Sequence, residues 1–266
     1  SRHLFAIGYR VADGALDEGR YDLLASQARL TSFLCVARGE VPPVHWFRLG
    51  REVTPIELGS ALGCWSGSMF GYLLPAIVMH APEGSLLDQS CRLAVKRQIA
   101  YGRSNGVPWG ISESAYNVRD LNLTYQYSSF GVPGLGLERG LGEDLVIAPY
   151  ATALGAMMDA PAAARNFVEL ARLGGCGDHG YYEALDFTRS RLPEGAKVAV
   201  VRCYMAHHQG MTLTALANVL LDGLLRRRFH GEPVMEATEL LLHERVPRDI
   251  PVTRPRGEEV RSPAHA

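Results

Sequence analysis

Three long segments, 40–68, 102–142 and 175–200, interrupt a chain whose remaining sequence runs largely at helical period. They are rich in Gly and aromatic residues and show no clear period of their own, so any fold must carry them as loops around a helical frame. The stretches between them read as helices. Residues 20–38 place Leu23, Leu30, Phe33, Leu34 and Ala37 on one face and stop at Gly39. Residues 86–101 repeat the pattern with Leu87, Cys91, Ala94 and Val95, ending at Gly102. Residues 143–158 open with Glu143 and Asp144, suited to the positive end of a helix dipole, and admit Pro149 near the first turn. Asp159 caps the next helix, with Pro161 in its first turn and Gly174-Gly175 at its close. Two more are expected over 203–222 and 233–245. The expectation is an all-α domain over residues 1–246 with its long loops on one face. Pro, Arg and Glu without periodicity make 247–266 a linker or tail.

With 266 residues, 47% of them hydrophobic, the chain can bury a substantial core. A formal net charge of −1 gives no basic field for nucleic acid and no polybasic face for a membrane surface. No apolar run approaches the roughly 18 residues of a membrane span. The five cysteines, Cys35, Cys64, Cys91, Cys176 and Cys203, are scattered without a CxxC and read as reduced, mostly buried thiols. Because the first residue is Ser rather than Met, the chain is expected to be a segment of something longer.

The loops collect aromatic and polar side chains: Trp46, Trp65, Trp109, Tyr116, Tyr125, Tyr127 and Tyr182, with Arg48, Asn117 and Gln126. Flat apolar faces with nearby hydrogen-bonding groups suit carbohydrate, although the same aromatics can simply fasten loops to a core. Glycoside chemistry needs two carboxyl groups across the scissile bond. Glu113, between Ser112 and Ser114 and close to Trp109, and Glu183, after Tyr181-Tyr182, are the loop candidates. Each is equally readable as a solvated carboxylate or a helix cap. His207-His208-Gln209-Gly210 does not have metal-site spacing, since adjacent helical residues diverge by about 100°. It reads as a helix end turned toward a sugar pocket, or as a buried hydrogen-bonded pair. Gly134-Leu135-Gly136 lacks the third glycine of a dinucleotide fingerprint, so neither metal nor cofactor is implied.

Taken in order, several segments resemble the cyclic β-1,2-glucan synthases. They include Tyr21-Asp22-Leu23-Leu24-Ala25-Ser26, His45-Trp46-Phe47-Arg48-Leu49-Gly50-Arg51 and Trp65-Ser66-Gly67-Ser68-Met69-Phe70. The series continues with Gly106-Val107-Pro108-Trp109-Gly110-Ile111-Ser112-Glu113-Ser114, Ala148-Pro149-Tyr150-Ala151-Thr152, Tyr182-Glu183-Ala184-Leu185-Asp186 and Met205-Ala206-His207-His208-Gln209-Gly210. Each is modest alone; together they cover nearly residues 4–250.

The resemblance implies the glycoamylase-like region of such a synthase, folded as part of an (α/α)6 barrel and acting on β-1,2-glucan by retaining transglycosylation or hydrolysis. It implies neighbouring glycosyltransferase and phosphorylase-like domains on the same polypeptide, and a place on the cytoplasmic side of an inner-membrane protein. This segment itself is not expected to touch the membrane. Glu113 would be acid/base, with Glu183 or Asp22 as the other carboxyl. Trp46, Arg48, Trp65, Trp109, Tyr116, Asn117, Tyr125, Gln126, Tyr127, Tyr182, His207, His208 and Gln209 would bind substrate. Two departures stand out. The family pattern has Glu after Tyr-Asp-Leu-Leu-Ala-Ser and again after Met-Phe, where this chain has Gln27 and Gly71. An amide cannot serve as a carboxylate nucleophile, so an impaired enzyme, or a non-catalytic glucan-binding or structural module, is the alternative.

Overall fold

The computed structural model describes residues 3–56 and 59–245. The expected tail at 247–266 lies outside them.

Helices α1 (Ser26–Ala37), α2 (Val44–Arg48), α3 (Met69–Leu73), α4 (Leu86–Asn105), α5 (Pro149–Ala156), α6 (Ala160–Arg172), α7 (Ala206–Leu220) and α8 (Leu224–His230) form the frame. Their ends follow from local chemistry. Ser85 caps α4 by accepting the Asp88 amide, and Gly106 closes it in the left-handed conformation at φ 66°. The expected stop at Gly102 is passed because that glycine lies within the helix and lets it approach the Val107–Trp109 backbone and side chain closely. Asp159 caps α6 with Pro161 in the first turn, as the sequence suggested. Helix α5 begins later than expected. Val146–Ile147 is a strand, and Asp144 is drawn off to pair with Arg191, so Pro149 becomes the first helical residue.

All eight residues of α5 are buried, which makes it the central helix; α6, α7 and α3 pack around it. Gly155 on α5 takes the Trp109 ring so closely that a Cβ there would stand 2.7 Å from it.

The loops are not structureless. They hold the antiparallel pairs β1–β2 (Tyr9–Arg10, Ala15–Leu16), β3–β4 (Val53–Ile56, Gly59–Leu62), β5–β6 (Ser114–Arg119, Tyr125–Ser128) and β8–β9 (Cys176–Gly177, Gly180–Tyr181). A three-stranded sheet runs in the order β11 (Ala199–Val201), β10 (Ala184–Asp186), β7 (Val146–Ile147). The described residues are therefore 41% helical and 18% strand, a helical domain with strand-built loops rather than an all-α one. Alternation over such short strands was too brief to register as a period. Arg191 ties the last loop down, donating to Asp186 Oδ2 at 2.7 Å and to Thr188 Oγ1 at 2.7 Å.

Candidate active site

The start of α1, the 64–71 turn and the strand entering β5 converge on one open pocket of about 730 Å³. Its walls include Phe5, Tyr21, Asp22, Gln27, Trp65, Phe70, Gly71 and Glu113. A larger depression of about 1230 Å³ has Glu143 and Glu169 as its carboxylates, both exposed, and lacks an enclosed acid. The smaller pocket is the one with partly buried carboxyls facing an aromatic wall.

Glu113 directly precedes β5. Its carboxyl is half-buried, and burial raises its pKa; the electrostatic effect of His208 and a hydrogen bond from Tyr127 act the other way. That bond runs from the Tyr127 hydroxyl to Glu113 Oε2 at 3.4 Å. Tyr150, in the first turn of α5, donates to the Glu113 carbonyl at 2.9 Å and to Ser112 Oγ at 2.7 Å. Glu113 is thus held by its backbone on one side and its carboxyl on the other.

Asp22 lies on the same pocket wall, and its Oδ1 accepts the Leu24 amide at 2.8 Å. Burial raises its pKa, with backbone bonds from Leu24 and Ala25 and the charge of Arg29 acting the other way. Asp22 is not among the charges that shift Glu113, nor is Glu113 among those that shift Asp22. Two carboxyls at the roughly 5–5.5 Å of a retaining pair would act strongly on one another. Gln27, exposed on the first turn of α1, is the other side chain of carboxylate-like shape on this wall.

Glu183 is 2% exposed and does not line the pocket. Its Oε1 accepts the Ala115 amide at 3.3 Å and meets His208 Nδ1 at 2.7 Å. It stands behind Glu113, not across from it. His208, 1% exposed, is likewise a buried hydrogen-bonded residue and not a sugar contact.

The other expected binders divide. Trp65 is 68% exposed on the pocket wall and offers a free ring face. Trp46 and Trp109 do not: Trp46 is fully buried edge-on to Phe33, and Trp109 is packed on Gly155 with its amide bonded to Asn166. Both are core residues, and that corrects the expectation that they bind substrate. Tyr116 stands edge-on to Phe130 under the Arg191 guanidinium. Asn117 donates to the Arg191 carbonyl at 2.7 Å, and Tyr125 carries Arg119 over its ring. Gln126 bonds within its own hairpin, and Gln209 bonds the Tyr181 carbonyl at 3.2 Å. These fasten the loops. Tyr182 packs on Tyr204, Arg48 sits at the exposed end of α2, and exposed His207 lies against His208; none lines the pocket. Tyr150 and Tyr21 entered the sequence reading only inside the resembling segments, with no role given, and Phe5 had none. A tyrosine at the head of an otherwise Ala-rich helix was the one usable signal for Tyr150.

No group of three or more His, Cys, Asp or Glu side chains suited to a metal is found among the described residues.

Residues 23–233 match the family model Glycoamylase, described as "Putative glucoamylase", and the chain belongs to that family. It is also 54% identical over 257 residues to the cyclic beta-(1,2)-glucan synthase NdvB of Rhizobium meliloti (strain 1021), so the resemblance seen in the sequence is borne out. That match takes in 97% of this chain but only 9% of the relative. Among solved structures, an endo-beta-1,2-glucanase from Chitinophaga pinensis, in complex with sophorotriose and glucose, superposes with a TM-score of 0.63 at 14% identity. It covers 91% of this chain and 59% of the neighbour. A protein from Bacteroides caccae described as a "putative glucoamylase" gives 0.62 at 15% identity, over 91% of this chain and 60% of its own. At those identities the likeness speaks for the fold.

Proposed function

We propose that this domain acts on β-1,2-glucan with Glu113 as its acid/base, and that its turnover is poor because the opposing carboxylate is replaced by Gln27. The observation that carries the reading is the shared pocket: Glu113 with its raised pKa, Gln27 and the open face of Trp65 line one cavity. A partly buried carboxyl keeps its proton nearer to neutral pH, which is what protonating a glycosidic oxygen requires. Trp65 supplies an apolar face for a sugar ring. The likeness to a β-1,2-glucan synthase and a β-1,2-glucanase supports the substrate class.

In the intact protein the chemistry is retaining transglycosylation or hydrolysis, carried by a complete (α/α)6 barrel of which this chain is a part. Neighbouring glycosyltransferase and phosphorylase-like domains feed it linear glucan on the cytoplasmic side of an inner membrane. Gln27 and Gly71, both on the pocket wall, favour a second reading: a module that binds glucan without cleaving it.

The two separate in one experiment. Linear β-1,2-glucan is incubated with the unaltered protein, Gln27→Glu and Gln27→Glu/Glu113→Gln, and products are identified by mass spectrometry. Gln27→Glu is expected to raise product formation and the second change to abolish it. Strong cyclisation by the unaltered protein, or product formation that survives the added Glu113→Gln change, would refute the assignment. Binding without product in every variant would establish the second reading.

A further inference from the structure

Glu183 and His208 keep two buried polar atoms without partners, Glu183 Oε2 and His208 Nε2, directly behind the proposed acid. An unpaired buried polar atom costs about 1–3 kcal/mol, so this arrangement calls for an explanation beyond packing. Its geometry supplies one. The His208 ring lies between two tyrosines: Tyr150 stacks on it at 3.8 Å and 12°, and Tyr127 at 6.1 Å and 27°. Those same two tyrosines hold Glu113, Tyr150 through the backbone carbonyl and Tyr127 through the carboxyl. Glu183 bonds His208 Nδ1 with the oxygen that also takes the Ala115 amide, two residues beyond Glu113. The paths from the pair end on Glu113 or beside it: its carboxyl through Tyr127, its carbonyl through Tyr150 and the Ala115 amide through Glu183.

We infer that Glu183 and His208 form a buried carboxylate–imidazole pair that fixes the position and charge environment of Glu113 from behind, while Glu113 alone faces the sugar. They are positioning residues: both side chains are almost fully buried, so neither reaches substrate or a water in the pocket. The groups facing Glu113 from the surrounding elements are Tyr127 on β6, Tyr150 on α5, Glu183 before β10 and His208 on α7, with His207 beside His208. Asp22, on the pocket wall, does not shift it. The electrostatic effect of His208 opposes that of burial on Glu113, so the imidazole limits how strongly the acid holds its proton. Through Tyr127 and Tyr150 it also limits where the carboxyl can move.

The inference rests on Glu113 being the acid, and its test does not depend on turnover. Glutamate carboxyls are labelled with ¹³C in the full chain, the Glu113 signal is identified by its loss in Glu113→Gln, and its titration midpoint is followed by NMR. In His208→Phe, which keeps a ring between the tyrosines, the midpoint is expected to move upward. An unmoved midpoint in folded His208→Phe would overturn the inference. Should that variant not fold, the unaltered protein gives the answer. The ¹⁵N imidazole shifts of His208 are expected to step at the midpoint of Glu113, and to lose that step in Glu113→Gln; a flat response overturns the proposal. A glucan assay that fails while the titrations couple would reject the catalytic reading and leave the pair standing.

Discussion

Gly71 tests how tightly the pocket wall is packed where a side chain would stand. It sits in α3 with ordinary helical φ, so Gly71→Ala would by itself be expected to stabilise by about 0.5–1 kcal/mol, through lower entropy of the unfolded chain. A Cβ at this position, however, would stand 2.4 Å from the Cys64 sulfur. Cys64 is itself buried, at 6% exposure, so the thiol must swing toward the pocket or the helix must shift. Overpacking of that kind costs roughly 1–3 kcal/mol, more than the entropy gain. Gly71→Ala should therefore destabilise by about 1 kcal/mol. In a Cys64→Ala background the sulfur is gone, the remaining neighbours of the new Cβ, Ser68 Oγ at 3.5 Å and the Cβ of residue 64 at 3.9 Å, stand at ordinary contact distance, and the same change should stabilise. The coupling between the two sites, about 1–3 kcal/mol, stands clear of the ~0.3–0.5 kcal/mol scatter of independent mutations. Urea unfolding of the four proteins at constant m measures it. Additivity within 0.5 kcal/mol would refute the claim that the thiol occupies the space of the missing side chain.

Glu113→Gln should gain stability over the unaltered protein as pH rises. A carboxyl whose folded pKa is raised costs nothing below its unfolded pKa and becomes a penalty as pH climbs through the folded one, so unfolding at pH 4 and pH 8 should show a difference only at the higher value. Trp65→Ala should weaken binding of linear β-1,2-glucan in calorimetry while leaving stability within about 0.5 kcal/mol, because the ring is largely exposed. Trp46→Ala should instead cost about 3–5 kcal/mol, since that ring is wholly buried; a change below 1 kcal/mol would contradict its place in the core.

The contrast between those two tryptophans shows what the sequence could and could not say. Helix positions were legible because an apolar stripe and a cap are local signals: the Asp159 cap of α6 and the start of α4 at Leu86 stand where the pattern put them, although α4 runs past its expected stop. Glu113 was legible as a carboxyl among small residues. Whether a loop aromatic turns inward or outward is decided by tertiary partners far along the chain, such as Gly155 for Trp109 and Phe33 for Trp46. The same holds for Glu183. Its neighbours Tyr181 and Tyr182 suggested a pocket, yet the Ala115 amide and His208, 68 and 25 residues away, draw it behind Glu113. The strands were missed because β7 and the hairpin strands are too short for alternation to show.

Arg29 bears on the departure at 71 and not on the one at 27. It is 2% exposed, and its Nη2 donates to the Tyr72 carbonyl at 3.0 Å, while Nε and Nη1 have no partner. Burial lowers the pKa of this guanidinium, with Asp22 acting the other way as the only carboxylate among the causes. A buried cation with no carboxylate beside it is costly, several kcal/mol in comparable settings, and stays in a core only where something else compensates. Its one hydrogen bond goes to the residue after Gly71, and Cys64, the thiol that fills the space beside Gly71, is one of the groups acting on it. A carboxylate at position 71 would enter that neighbourhood as an opposite charge. With glycine there, no side chain from 71 reaches toward this guanidinium, and the Cys64 sulfur occupies the space that a Cβ would need. The loss at 27 is different in kind: Gln27 is exposed, packs no core and leaves no cation stranded. Restoring an acid at 27 therefore needs one substitution, whereas restoring one at 71 requires Cys64 to give way as well.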